Sequence, residues 1–187
     1  TKNITQKEDL EKFVTKGLDS NFSKRPWFVG PMTSGDVFVT KLYTSKITDK
    51  LCITVSSPVR DKENKIDLIV LAGFMRLLSA EFVRKYTGMI LNIHPSLLPA
   101  FKGTQGIKDA YSYGVKVTGV TVHFVDEELD HGPIILQASL EINKKDTLNS
   151  LEEKIHKIEH KLYPEAVRLF VEGKLKIEGR HVRISAS

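Results

Sequence analysis

Cysteine is nearly absent. Cys52 is the only one in 187 residues, so no disulfide can close within the chain, and the composition suits a reducing cytoplasm. Long hydrophobic runs are missing too; stretches such as residues 68–72 are far too short to span a bilayer, and no membrane partner is expected. No charged start leads into an apolar stretch and a small-residue cleavage site, which predicts no secretory leader. The chain also lacks an RNA-binding aromatic motif, a Cys/His zinc spacing and a long basic stripe, so nucleic acid is not an expected partner. There is no internal repeat and no low-complexity segment. What remains is ordinary for a globular protein: 41% apolar and 27% charged residues argue against disorder, and the length fits one domain. The formal charge is +5, most of it in residues 1–65, where it suits a solvated basic surface or a weak attraction for anions.

The N-terminal third opens with Thr5-Gln6-Lys7-Glu8, a capping-box pattern. Leu10, Phe13 and Val14 follow at helical spacing toward a stop at Gly17. Residues 20–35, with Pro26, Gly30 and Pro31, suit a loop; residues 37–39 and 51–55 suit short strands, and the charged residues 61–65 a turn. From Ile66 the pattern sharpens. Residues 68–72 form a continuous apolar run, as in a strand buried on both faces of a parallel sheet. Ser79 can cap a helix over residues 80–86, ended by Gly88. A second buried strand over residues 89–93 stops at Pro95, and residues 105–113 suit a helix closed by Gly114. Residues 116–125 alternate as a strand, 126–132 form an acidic loop, and 134–140 return as a strand. Asp146 and Thr147 can cap a last helix with Leu148, Leu151, Ile155, Ile158 and Leu162 on one face. Pro164 should kink or restart it and Gly173 end it. Residues 174–184 suit a hairpin turning at Glu178-Gly179. The alternation of strands and helices predicts an α/β fold: an open, mostly parallel sheet with crossover helices, Rossmann-like, with an atypical N-terminal third.

Two segments carry candidate chemistry. In Met89-Ile90-Leu91-Asn92-Ile93-His94-Pro95, strand alternation points Asn92 and His94 to the same face, and Pro95 leaves both at the strand's carboxyl end. That end lines the ligand crevice in open α/β sheets. An amide donor beside an imidazole suits oxyanion stabilisation and proton movement, or simply a structural hydrogen-bonded pair. The second segment is Val120-Thr121-Val122-His123-Phe124-Val125 running into Asp126-Glu127-Glu128-Leu129-Asp130-His131-Gly132. A carboxylate at that strand end can hold a distant imidazole protonated, or merely belong to a solvated loop. His123 suits a hydrogen-bonded structural role. His156 and His160 stand four apart, half of a metal site at most, and no metal is expected. Gly103-Thr104-Gln105-Gly106 suits a turn and helix entry.

Asn92-Ile93-His94-Pro95-Ser96-Leu97-Leu98-Pro99 resembles the signature of the 10-formyltetrahydrofolate-dependent formyltransferases. Leu71-Ala72-Gly73-Phe74-Met75-Arg76-Leu77-Leu78 upstream and Glu128-Leu129-Asp130-His131-Gly132-Pro133 downstream narrow the likeness to the branch that formylates glycinamide ribonucleotide in purine synthesis. The similarity runs from about Ile66 to about Gly173. The resemblance implies a single formyltransferase domain over residues 1–187, with 66–173 family-like and 1–65 unmatched. It implies 10-formyltetrahydrofolate as co-substrate, glycinamide ribonucleotide as acceptor, and a monomer or homodimer. Asn92, His94 and Asp130 would be catalytic: Asn92 donating to the tetrahedral oxyanion, His94 stabilising it and moving a proton, Asp130 orienting His94 directly or through an ordered water. Met75, Arg76, Leu77, Leu78 and Asn92, with Asp126, Glu127, Glu128, Leu129 and Asp130, would hold the folate. Glu159, with Lys157 and Ile158 beside it, would contact the ribonucleotide. Formyltetrahydrofolate deformylase is the alternative enzyme, though it usually carries His-His where this chain has His94-Pro95. A folate-binding scaffold without catalysis is the other. The family's Ser-Gly-x-Gly-Ser-Asn phosphate loop has no counterpart in residues 1–65 beyond a faint echo at residues 17–21.

Overall fold

The computed structural model describes residues 38–39, 43–44, 51–52, 55–60, 66–74 and 78–185, with side chains from residue 67 onward. The helix expected over residues 5–17, the loop at 20–35, the echo at 17–21 and the turn at 61–65 lie outside the described residues. In chain order the elements are β1 (Phe38–Val39), β2 (Tyr43–Thr44), β3 (Leu51–Cys52), β4 (Val55–Arg60), β5 (Ile66–Ala72), α1 (Ala80–Lys85), β6 (Ile90–His94), α2 (Gly106–Tyr113), β7 (Val117–Phe124), β8 (Ile134–Glu141), α3 (Leu148–Val171), β9 (Leu175–Glu178) and β10 (His181–Ile184).

The fold is α/β, as the alternation of elements predicts. Eight strands form one sheet in the order β1-β4-β5-β6-β7-β8-β10-β9, while β2 and β3 pair separately. Strands β1, β5, β6, β8 and β10 run one way; β4, β7 and β9 run against them. The sheet is therefore mixed. Among the described strands only β5–β6 and β8–β10 are parallel neighbours, and α1 lies in the connection between the first of these pairs. The antiparallel pairing of β7 with β8 follows from the link between them: residues 125–133 return the chain directly to β8, too short for a parallel crossover.

Strand alternation divides the core in two. Leu68, Val70, Leu91, Ile93, Val120, Val122 and Phe124 pack with Leu151, Ile155, Tyr163, Ala166 and Val167 of α3. On the opposite face Ile69, Leu71 and Ile90 meet Phe82 and Tyr86 at α1. β7 does not alternate as its sequence suggests; every residue after Val117 is buried, because helix covers one face and the β6–α2 loop packs on the other. The expected strand at residues 51–55 is divided: Leu51–Cys52 pairs with β2, whereas Val55 begins β4.

Local signals place most helix ends. The Ser79 hydroxyl accepts from Phe82 N–H at 3.2 Å, and α2 ends at Gly114. Thr147 and Ser150 satisfy each other's backbone N–H groups at the start of α3. α3 runs through Pro164 without restarting. The neighbouring Tyr163 secures that point. Its buried hydroxyl lies 2.8 Å from the Leu71 carbonyl and 2.9 Å from the Leu91 carbonyl, and accepts from Leu71 N–H at 2.8 Å. The hairpin of β9 and β10 turns at Gly179, as expected, and extends the sheet beyond β8.

Candidate active site

Antiparallel pairing of β6 with β7 sets Asn92 directly opposite His123, and His94 opposite Thr121. All four side chains share one face by alternation. Asn92 Nδ2 lies 3.2 Å from His123 Nε2. His123 Nδ1 sits 2.7 Å from the Phe124 carbonyl. A carbonyl can only accept, so Nδ1 carries the proton and Nε2 accepts from the Asn92 amide. Burial lowers the His123 pKa, opposed by the Phe124 carbonyl and Asp130, and the neutral ring matches this pattern. One N–H of the Asn92 amide is thereby spent on His123, leaving the other and the carbonyl oxygen for a ligand.

The acidic loop brings the third group. Asp130 Oδ2 lies 3.5 Å from His94 Nδ1, and Oδ1 lies 3.8 Å from His123 Nε2. The His94 and Asp130 side chains are only 5% and 8% exposed. Gly103 N–H donates to Asp130 Oδ2 at 2.7 Å, tying the β6–α2 loop to the acidic loop. Gly132 lets the chain return: a Cβ there would stand 1.9 Å from the Phe124 carbonyl oxygen. Asp126 serves the loop itself, accepting from Glu128 N–H at 3.0 Å and pairing with His131 at 2.7 Å. Glu127 pairs with Arg84 of α1 at 3.3 Å.

Two cavities meet at these groups. The larger, about 630 Å³, is lined by Asn92, His94, residues 103–108, Leu129, Asp130 and one stripe of α3: Leu148, Glu152, His156 and Glu159. The smaller, about 50 Å³, is lined by Leu71, Phe74, Leu78, Val83, Asn92, His123 and residues 125–130. Asn92, Phe74, Leu129 and Asp130 border both. Burial pushes the Glu159 carboxyl up to about 7. His156 is lowered, chiefly by burial, with Glu152 acting in the other direction.

Asn92, His94 and Asp130 are thus together, and Leu78 with the residues from Asp126 to Asp130 lines the smaller cavity. Met75, Arg76 and Leu77 lie outside the described residues. Of the three α3 candidates only Glu159 lines the larger cavity. Lys157 is exposed, and Ile158 packs on the core, because positions 157 and 158 turn away from the stripe through 152, 156 and 159. Sequence reasoning gave His123 a structural place and missed its bond to Asn92. The register of β6 on β7 could not be read from one strand. Residues 103–106 also prove to be cavity wall, and His156 joins it; helical spacing from Glu159 could have found the latter.

The formyl transferase family model matches residues 59–167. The model of the methyl-accepting chemotaxis protein-like first PDC sensor domain matches residues 1–70. The chain is 51% identical over 105 residues to phosphoribosylglycinamide formyltransferase of Bacillus subtilis (strain 168), which covers 56% of this chain and 54% of that protein. It is similar to the crystal structure of glycinamide ribonucleotide transformylase 1 from Symbiobacterium toebii, with TM-score 0.63, 52% identity, and coverage of 65% of this chain and 57% of that one. A formyltetrahydrofolate deformylase from Pseudomonas syringae pv. tomato str. DC3000 also matches, at TM-score 0.63 and 30% identity, over 66% of this chain and 42% of that one. The chain spans about half the length of the curated relative from Bacillus subtilis.

Proposed function

The chain belongs to the formyl transferase family, and from that premise we propose that it transfers a formyl group from 10-formyltetrahydrofolate to the amine of glycinamide ribonucleotide. The observation that carries this reading is the meeting of two cavities at Asn92 and Asp130. A two-substrate transfer needs donor and acceptor to approach one carbon from separate pockets. The smaller cavity, apolar at Leu71, Phe74, Leu78, Val83 and Val125 and polar along residues 126–130, suits the edge of the folate's pterin; the larger suits the ribonucleotide, with Glu159 accepting from its hydroxyl groups. The formyltransferase domain in this reading takes in the whole chain, with residues 66–173 carrying the family-like part.

The amine attacks the formyl carbon, forming a C–N bond and a tetrahedral centre with a negative oxygen. The free N–H of Asn92 and the imidazole of His94 stabilise that oxygen. The amine loses a proton, the folate N10 gains one as its bond to carbon breaks, and His94 is the group placed to relay it. Asp130 holds a negative charge against the imidazole throughout. No helix among the described residues is long and apolar enough to cross a membrane, and both substrates are small molecules.

Turnover of a 10-formyl folate analogue with and without glycinamide ribonucleotide tests the proposal. Release of folate only when the ribonucleotide is present supports formyl transfer. Release without it supports a deformylase, the second reading favoured by the Pseudomonas syringae likeness. Binding without release supports a folate-binding scaffold.

A further inference from the structure

We propose that the Phe101 backbone carbonyl, given room by Gly106, is a positioning group that fixes the His94 imidazole and its Nε2 proton. The proposal rests on the formyl-transfer reading only in calling that imidazole catalytic. His94 Nε2 lies 2.8 Å from the Phe101 oxygen. The carbonyl accepts and never donates, so Nε2 holds a proton and Nδ1 is the nitrogen turned to Asp130. The carbonyl thereby holds the ring so that Nδ1, 3.5 Å from Asp130 Oδ2, is the nitrogen left for the cavity and the proton relay.

Independent features of the backbone converge on this contact. Phe101 and Asp130, with φ of 50° and 46°, are the non-glycine residues of positive φ among the described residues, and they present the two acceptors to His94. A residue as bulky as phenylalanine holds a left-handed conformation only where its surroundings enforce it. Here the Ser96 hydroxyl donates to the Ala100 carbonyl at 2.6 Å, Ala100 N–H donates to the Leu97 carbonyl at 3.0 Å, and the Phe101 ring meets Tyr113 edge-on at 6.1 Å. Gly106, the first residue of α2, supplies the space. A Cβ there would stand 3.1 Å from the Phe101 oxygen and 3.2 Å from His94 Nε2. Any other residue wedges against both ends of the hydrogen bond. The elements that build the cradle thus do so by backbone shape, which is why no side-chain motif announces it.

The test is Gly106→Ala in the full chain. A displacement of a few tenths of an ångström at a reacting group should lower kcat about 10-fold while KM for either substrate changes less than about 3-fold. In 15N-labelled protein the His94 Nε2 proton, protected from exchange in the wild type, should exchange faster in the variant. If Gly106→Ala fails to fold, Phe101→Gly replaces it: glycine tolerates the positive φ and keeps the carbonyl, but releases the ring from Tyr113, and the same losses are expected. A folded variant with wild-type kcat and an unchanged His94 proton overturns the assignment. Wild-type protein with the protected proton but no formyl transfer defeats the enzymatic reading alone; active wild type without that proton defeats the cradle alone.

Discussion

On the strand side of the larger cavity, polar groups answer one another. His123 holds Asn92, the Phe101 carbonyl holds His94, and Gly103 N–H holds Asp130. On the helix side, Glu159 has no hydrogen bond or ion pair among the described residues, and burial alone raises its pKa to about 7. One wall is preorganised before any ligand arrives; the other carries a carboxyl group whose charge is costly until a donor meets it. In the proposed reading chemistry uses the first wall, where geometry must not drift. Recognition suits the second, where a ligand's hydroxyl groups can offset the desolvation of the carboxylate.

The sharpest way to break this division is Asp130→Asn. Asparagine also tolerates a positive φ, so the fold should survive. Turnover should fall by roughly 10²–10⁴ because the imidazole loses its negative partner. Single-turnover kinetics beside a thermal melt decides it, and near-normal activity would remove Asp130 from the chemistry. His123→Ala should come next, with kcat lowered by roughly 10–10² as the Asn92 amide loses the acceptor that aims it. A kcat within 2-fold of wild type would mean that Asn92 is oriented by the strand alone.

Glu159→Ala should act on binding instead, weakening ribonucleotide affinity by roughly 10-fold and sparing the folate, as loss of a charged hydrogen-bond acceptor does. Equal loss of both in calorimetry would contradict the division of the cavities. The same residue makes a prediction about stability against pH. Its folded pKa of about 7 lies above the ordinary glutamate value of 4.5, so its effect appears as pH rises from the lower value through the higher. Below both values the protonated carboxyl costs nothing. Above about 7 the wild type should be less stable than Glu159→Gln by about 1–2 kcal/mol, discounted because the carboxyl is half-buried and water screens it. Denaturant titrations at about pH 4 and pH 8 should show the gap nearly closed at the lower pH and open at the higher.

Tyr163→Phe should have the smallest effect on activity. It removes the hydroxyl that joins α3 to β5 and β6, leaving the Leu71 N–H without that acceptor. Stability should drop by about 1–3 kcal/mol with kcat little changed. A large loss of kcat would show that α3 positions the strand-side wall as well.

Much of the fold was legible because its signals are local. Ser79, Thr147 and Gly114 mark helix ends through groups within a few residues, and the apolar run through residues 68–72 needs no partner to declare itself a buried strand. The candidate chemistry at Asn92, His94 and Asp130 was legible as motif. Its supporting cast was not. His123 looked like one more structural histidine, and Gly106 like a turn residue, because their significance lies in what stands across from them. Lys157 and Ile158 stand off the larger cavity for a similar reason: adjacency in sequence does not survive a turn of about 100° per residue along a helix.

By itself the sequence determined the α/β alternation, the family-like run from Ile66 to Gly173 and the residue types on which the proposed transfer depends, since each is written in spacing and short motifs. Tertiary structure alone decided that β7 runs antiparallel to β6, which sets His123 opposite Asn92, and that an eight-residue helix begins against the His94 imidazole. Those outcomes depend on register and on the close approach of backbone to side chain across long stretches of chain, and no local pattern of residues encodes either.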